Sequence, residues 1–390
     1  MTRTKVNLVL ECGGGGAARH VLDLYHALKA RGWSVRLVVS LARADPLFIE
    51  ELRQVRPLDV ALIDVKRYPH PSDLFALREL RHLTNPAGGF SIVHAHSTKA
   101  GMLARGLRGE RVATLFTPHA FRGMDPEVSG LRGTALRQLE RLIASGYERV
   151  IAVSRAELDY GLSLGLPEDR LRHIPNGLDA KALLGRHPAS ARRPAGPPFA
   201  IGFVGRLVHQ KNPEAFLRIF HQLLQTGIDA QAIVIGDGPR RAELERMCEA
   251  TGIAQRVFFR GAVNAMPLLG ELDVMLHTSR YESLPYTLLE ALAARVPVVA
   301  VDNAGSREIL PADRLVRSTD DVAGFVAQTR RLLLDPAFAQ RVADDGLRRL
   351  QRYDVATMCR AIENEYESLL TAGPGTVRGA VDEASPAALA

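Results

Sequence analysis

The 390-residue chain is 46% hydrophobic and 24% charged, carries a formal net charge of +7 and holds three cysteines. It is long enough for two domains of ordinary size, and Cys12, Cys248 and Cys359 stand too far apart for a metal-type spacing or a disulfide framework, which fits a reducing compartment with buried thiols. No segment reaches the roughly 18 to 20 apolar residues that span a bilayer, and a glycine block follows the short apolar run after Met1 where a secretory cleavage site would need small residues of another pattern, so a cytoplasmic protein, soluble or peripheral at the inner face of the membrane, is expected.

In chain order, strand-like apolar runs alternate with helical patterns, which predicts parallel α/β sheets. Val6 to Leu10 reads as a strand, Gly13 to Gly16 as a glycine loop, and Val21, Leu22, Leu24, Tyr25 and Leu28 as the apolar face of a helix closed by Gly32. Strands follow at Val35 to Val39, Val60 to Ile63, Ser91 to His94, Val112 to Phe116 and Val150 to Val153. The stretch RHPASARRPAGPP, 186–198, has no periodicity and reads as a linker. A second series has strands at Ala200 to Val204, Ala232 to Ile235, Val257 to Phe259, Val274 to His277 and Val298 to Val301. Its helices lie near Pro213 to Leu224, Arg240 to Ala250 and Tyr286 to Ala294. The expected division is a first Rossmann-like domain over 1–185, the linker, a second over 199–353, a helix over 354–371 that crosses back toward the first, and a disordered tail over 372–390.

Charge divides with the domains. Residues 1–200 hold 29 Lys and Arg against 19 Asp and Glu (+10), while residues 201–390 hold 21 against 24 (−3). Arg105, Arg108, Arg111, Arg122, Arg132, Arg137 and Arg141 fall in the basic half, where they form either a patch for anionic lipid or pyrophosphate-linked ligands or a solvated surface. Nucleic acid is not an expected partner, because no basic motif is interleaved with aromatics.

The segment RYESLPYTLLEALAARVPVVAV, 280–301, carries the most chemistry. Pro285 suits the first turn of a helix, so the amides of Tyr286 and Thr287 are expected to leave its N-terminus free for a diphosphate. Glu282 and Glu290 bracket that place, and an ionised carboxylate accepts hydrogen bonds from hydroxyls: Glu282 for a transferred sugar, Glu290 for a ribose. Arg206 and Lys211 supply two cations that offset the charge of a leaving diphosphate without a metal. No two aspartates stand at i, i+2, the usual cue for a metal-bound donor, so no metal and no cofactor are expected. Gly15 and Gly16 let backbone approach a phosphate or sugar closely. Gly13, Gly15 and Ala18 also fit the dinucleotide fingerprint, but no acid follows the second strand before Asp45. His94, His96 and His119 are read as packing and supporting residues or, alternatively, as metal ligands.

Taken in order, these segments resemble the glycosyltransferases of family 4, in the GT-B superfamily. The resemblance covers roughly residues 5 to 370 and rests on 280–301 together with FVGRLVHQKNP, IGDGP, VFFRG, VHAHSTKAG, TPHAF, IAVSR and PNGLD. It implies an α/β GT-B fold of two Rossmann-like doubly wound domains facing across a cleft, and a retaining transferase that takes a sugar from a nucleotide sugar, UDP-linked or similar, to a lipid-linked, polysaccharide or other hydroxyl acceptor. By resemblance, Arg206, Lys211, His119 and Glu282 are catalytic. Gly15, Gly16, Gly205, Gly236, Ser283, Leu284, Tyr286, Thr287 and Glu290 bind the donor, and His96, Lys99 and Arg122 lie on the acceptor side. Ser283 stands where the family often has glycine, and Pro285 has no amide to offer, which leaves the donor sugar open. Rival readings are a nucleotide-sugar epimerase of the same fold, an NAD-dependent oxidoreductase and a non-catalytic sugar-nucleotide binding protein. Asn176 and Gly177 are read as a structural turn between domains.

Overall fold

The computed structural model describes residues 4–11, 13–66, 70–85, 89–107, 109, 111–181 and 196–372. Cys12, Arg108, the linker through 195 and the tail from 373 lie outside the described residues.

The first sheet comprises β1 (Lys5–Leu10), β2 (Ser34–Val39), β3 (Val60–Leu62), β4 (Ser91–His96), β5 (Val112–Thr117), β6 (Arg149–Ala152) and β7 (Leu171–His173), in the order β3-β2-β1-β4-β5-β6-β7. The second comprises β8 (Phe199–Val204), β9 (Ala230–Ile235), β10 (Val257–Gly261), β11 (Val274–His277), β12 (Val298–Val301) and β13 (Leu315–Val316), in the order β10-β9-β8-β11-β12-β13. Ladders between these strands are parallel. Each sheet reverses its winding once, between β1 and β4 and between β8 and β11, and such a reversal opens a crevice at the carboxyl ends of the strands.

Side-chain alternation explains why both faces of each sheet are covered. In β9, Ala230, Ala232 and Val234 join one core while Ile233 and Ile235 join the core on the opposite face. In β1, Val6, Leu8 and Leu10 point to one core and Val9 to the other. Helix Val355–Ala372 contributes Met358, Cys359, Ile362, Tyr366 and Leu369 to the core of the first sheet. Its outer edge is tied by Trp33 Nε1 donating to Glu363 (2.6 Å) and by Arg149 and Arg172 meeting Glu365 at 3.1 and 2.9 Å. The chain therefore ends its described part on the sheet where it began. Cys248 and Cys359 are free and buried, and burial pushes their thiols up to about 11 and about 12. No helix among the described residues is long and apolar enough to cross a membrane.

Candidate active site

Loops at the carboxyl ends of both sheets meet. Ser154 Oγ, after β6, shares a 2.9 Å hydrogen bond with Ser283 Oγ, after β11. Asn176 Nδ2 donates to the carbonyl of Leu284 (2.9 Å), and Glu127 accepts from His209 Nε2 (2.8 Å) and Arg280 Nη1 (2.7 Å). A Cβ on Gly16 would stand 2.9 Å from the ring of Tyr286, so the room that this glycine leaves is filled by the other half of the chain. Gly15, at φ +65°, is the member of the glycine loop with open space beside it; Gly13 and Gly14 pack on Phe48 and Asp45.

On the C-terminal side, Lys211 and Glu282 form a buried ion pair. Burial pushes the Glu282 carboxyl up, but the Lys211 ammonium more than offsets this and holds it below the usual glutamate value. His277, at the end of β11 and 3.8 Å from Glu282, is pushed down to about 4 by burial and is neutral near pH 7. The Lys211 backbone is positioned by two devices. Asn212 adopts a left-handed conformation (φ 50°, ψ 53°) before helix Pro213–Gln225, and Thr278 Oγ1 donates to the carbonyls of Lys211 (3.2 Å) and Asn212 (3.0 Å). Gly205 and Gly236 are both left-handed. A Cβ on Gly236 would fall 2.0 Å from Gly205 O, so the turns after β8 and β9 stack backbone on backbone beneath Lys211. Arg206 is exposed and pairs with no side chain among the described residues.

Helix Tyr286–Ala293 begins at the residue expected from sequence, but Pro285 lies just ahead of its first turn rather than in it. Pro285 is the N-cap, at φ −76° and ψ 122°, outside helical geometry. The consequence for the amides is unchanged: Leu288 N donates to Pro285 O (3.2 Å), while the amides of Tyr286 and Thr287 find no acceptor among the described residues. The buried Thr287 Oγ1 beside them is also without a partner there. Gly305 lies under this loop; its Cβ would be 2.7 Å from Ser283 O. Glu290 faces the first sheet's Arg19 and Asp23, and burial pushes its carboxyl up to about 7, partly opposed by Arg19.

Across the cleft, His119 follows β5 with φ +54° and Ala120 with φ +81°, two consecutive left-handed residues with side chains. Buried Glu157 holds them there: its carboxylate accepts from Ala120 N and Val153 N, both at 2.7 Å. His96 Nδ1 lies 3.1 Å from His119 Nε2, and the rings stack at 5.4 Å. Burial holds both imidazoles well below the usual histidine value, so they are neutral. Of the expected acceptor-side residues, Lys99 is engaged by Asp73, and Arg122 is exposed with its amide held by Glu140 (2.6 Å).

Two family models match in succession, one described as glycosyl transferase 4-like domain over residues 15–177 and one as glycosyl transferases group 1 over 189–349. The chain belongs to the family 4 glycosyltransferases. EpsF of Bacillus subtilis (strain 168), which is named as a glycosyltransferase, is 26% identical over 309 residues, 74% of this chain and 76% of its own. The lipopolysaccharide core biosynthesis mannosyltransferase LpsB of Rhizobium meliloti (strain 1021) is 31% identical over 217 residues, 53% of this chain and 60% of its own. Sucrose-phosphate synthase from Thermosynechococcus elongatus shares the fold with a TM-score of 0.78 at 21% identity, covering 95% of this chain and 100% of that one. Anabaena HepE in complex with UDP and glucose does so with a TM-score of 0.74 at 20% identity, covering 94% and 100%. The fold is therefore GT-B, and the enzyme is a glycosyltransferase.

In this glycosyltransferase the structure gathers residues that sequence reasoning passed over. His20, in helix Gly15–Ala30, donates from Nδ1 to Asn176 Oδ1 (3.1 Å) and packs edge-on to His119. Asn176, read as a turn residue, thus joins His20 to the donor-side loop through Leu284. His94 is not part of the open cluster, for its two nitrogens meet Tyr366 OH (2.7 Å) and Thr117 Oγ1 (2.8 Å). Ser283, expected to face the donor, spends its hydroxyl on Ser154. The available signal was positional: His20 and Asp23 lie within two turns of the glycine loop on a helix whose neighbouring positions Val21, Leu22 and Leu24 are buried.

Proposed function

We propose that this glycosyltransferase is a retaining, metal-independent enzyme that moves a hexosyl group from a nucleoside diphosphate sugar, UDP-linked by preference, to a hydroxyl acceptor of a growing surface glycan. The observation that carries this reading is the Lys211–Glu282 pair and the free amides of Tyr286 and Thr287 on the loop whose Ser283 meets Ser154 of the first domain. Lys211, Arg206 and the two amides receive the leaving diphosphate, whose charge grows as the C1–O bond breaks. Glu282 accepts from hydroxyls of the transferred sugar, Glu290 from the ribose, and His119 stands by the sugar where positive charge develops. In front-side attack the acceptor oxygen bonds to C1 as the sugar–phosphate bond breaks, and the acceptor proton passes to the leaving phosphate oxygen; double displacement through a carboxylate is the alternative. The UDP preference draws support from HepE, solved with UDP and glucose, and the surface-glycan acceptor from LpsB.

A lipid-linked acceptor is part of this proposal. Helix Gly130–Ala144 exposes Leu131 (91%), Leu139 (43%) and Leu142 (52%) beside the exposed Arg132 and Arg141, a surface suited to anionic membrane at the inner face. The test is incubation with labelled nucleotide sugars and candidate acceptors. A glycosylated acceptor with retained anomeric configuration is expected. An isomerised free sugar would mean an epimerase, turnover that requires NAD an oxidoreductase, and binding without turnover a sugar-nucleotide sensor.

A further inference from the structure

We propose that His20, His96 and His119 form a binding site for one divalent transition-metal ion of the zinc class at the floor of the cleft. One ring nitrogen from each lies within 4.8 Å of the others. Around a tetrahedral ion with bonds of about 2.0 to 2.1 Å, ligand nitrogens sit about 3.3 Å apart. His96 Nδ1 and His119 Nε2 are already 3.1 Å apart.

The tautomer of His20 is set by its neighbour. Asn176 Nδ2 is committed to Leu284 O, so the Asn176 atom facing His20 is an oxygen, and His20 Nδ1 must donate to it. Its Nε2 therefore carries a lone pair, and this atom is buried without a partner among the described residues. A carbonyl oxygen that takes the remote N–H of an imidazole is the usual outer support of a metal-bound histidine. The three rings are also held in place before any ion arrives: His96 ends a central strand, His20 lies in a packed helix, and the left-handed turn of His119 and Ala120 is fastened by Glu157. An all-imidazole set suits zinc, cobalt, nickel or copper and not magnesium or manganese, which prefer oxygen. His119 is partly exposed, so the fourth position faces the cleft. An ion held there occupies the ring of His119 and inhibits transfer. That consequence rests on the proposed function; the binding does not.

The test uses the full chain after chelator treatment, dialysed against Zn²⁺ and, separately, against Co²⁺. The expected result is one saturable ion per chain, with visible Co²⁺ absorption of a tetrahedral nitrogen site. His20→Ala and His119→Asn, the latter chosen because asparagine tolerates left-handed backbone, should each weaken binding about tenfold or more. Cys248→Ser and Cys359→Ser should leave it unchanged. Absence of a saturable ion, wild-type affinity in both histidine variants, or loss of the ion in a cysteine variant would each overturn the proposal. If zinc binds as described but transfer is unaffected, the site stands and the role given to His119 fails.

Discussion

Replacing Lys211 with alanine should damage stability and chemistry separately, and the two can be read apart. Lys211 and Glu282 keep only 15% and 9% of their side-chain surface exposed. Removing one partner of a buried pair leaves an uncompensated charge and costs about 3 to 5 kcal/mol. At roughly 2 to 4 °C per kcal/mol for a domain of this size, the melting temperature should fall by roughly 6 to 20 °C. Adding Glu282→Gln to Lys211→Ala removes the stranded carboxylate and should recover most of that loss. Arg206 is exposed and has no side-chain partner among the described residues, so Arg206→Ala should leave the melting temperature in place. In kinetics the order changes. Each cation meets a diphosphate that is more charged in the transition state, so both single variants should lose about 10² to 10³ in kcat, or about 2.7 to 4 kcal/mol. The double alanine variant should lose less than the product of the two effects, because one phosphate site is shared. Calorimetry and steady-state kinetics at saturating donor measure both. Near-normal kcat and KM in both single variants would refute the diphosphate site, and an unshifted melting temperature in Lys211→Ala would refute the buried pair.

Glu290 is pushed up to about 7, so donor KM should rise as pH falls below that value while kcat changes little, and Glu290→Gln should flatten the profile; a KM independent of pH in the wild type would count against a ribose contact. Glu157 is likewise pushed up to about 7 by burial; a carboxyl that binds its proton more tightly when folded adds stability that is full below about 4.5, the unfolded value, and lost as pH rises through about 7, so Glu157→Gln should reduce the fall in melting temperature between pH 5 and 8. Transfer should survive EDTA, and activity lost to chelation and restored by Mn²⁺ or Mg²⁺ would contradict the metal-free reading. Binding to anionic vesicles should fall steeply with salt and with Leu131→Ser, Leu142→Ser substitution; equal recovery on neutral vesicles at low salt would remove the membrane contact.

Much of the fold was legible because central parallel strands are continuous apolar runs. Val274–His277 and Val298–Val301 have the boundaries expected from sequence, and β1, β2 and β8 each extend one residue earlier. What periodicity did not mark were the edge strands β7 and β13, three and two residues long, which carry too little apolar pattern to separate from a turn. β4 runs two residues beyond the expected end, through His96, because Ala95 and His96 pair with β1 on one side and β5 on the other, and the buried His94 inside it has both nitrogens satisfied by Tyr366 and Thr117.

The site divides along the same physical line. Residues whose task is local were readable: the amides of Tyr286 and Thr287 follow from the proline ahead of the helix, and Lys211 stands out as a cation beside a strand end. Residues whose task is to join distant segments were not. Glu157 looks like any glutamate in the first turn of a helix, yet its carboxylate fastens a strained turn 37 residues away. Gly16 reads as an opening for a ligand and is instead the seat of Tyr286, and Asn176 reads as a turn and is a bridge from His20 to Leu284. Glu157 meets its partner through the neighbouring strands β5 and β6 of one sheet, whereas Tyr286 against Gly16 and Leu284 against Asn176 are brought in by two sheets that face each other at their carboxyl ends. A single chain's local pattern carries the chemistry of each loop, but the pairing of loops across the cleft exists only after both sheets have formed.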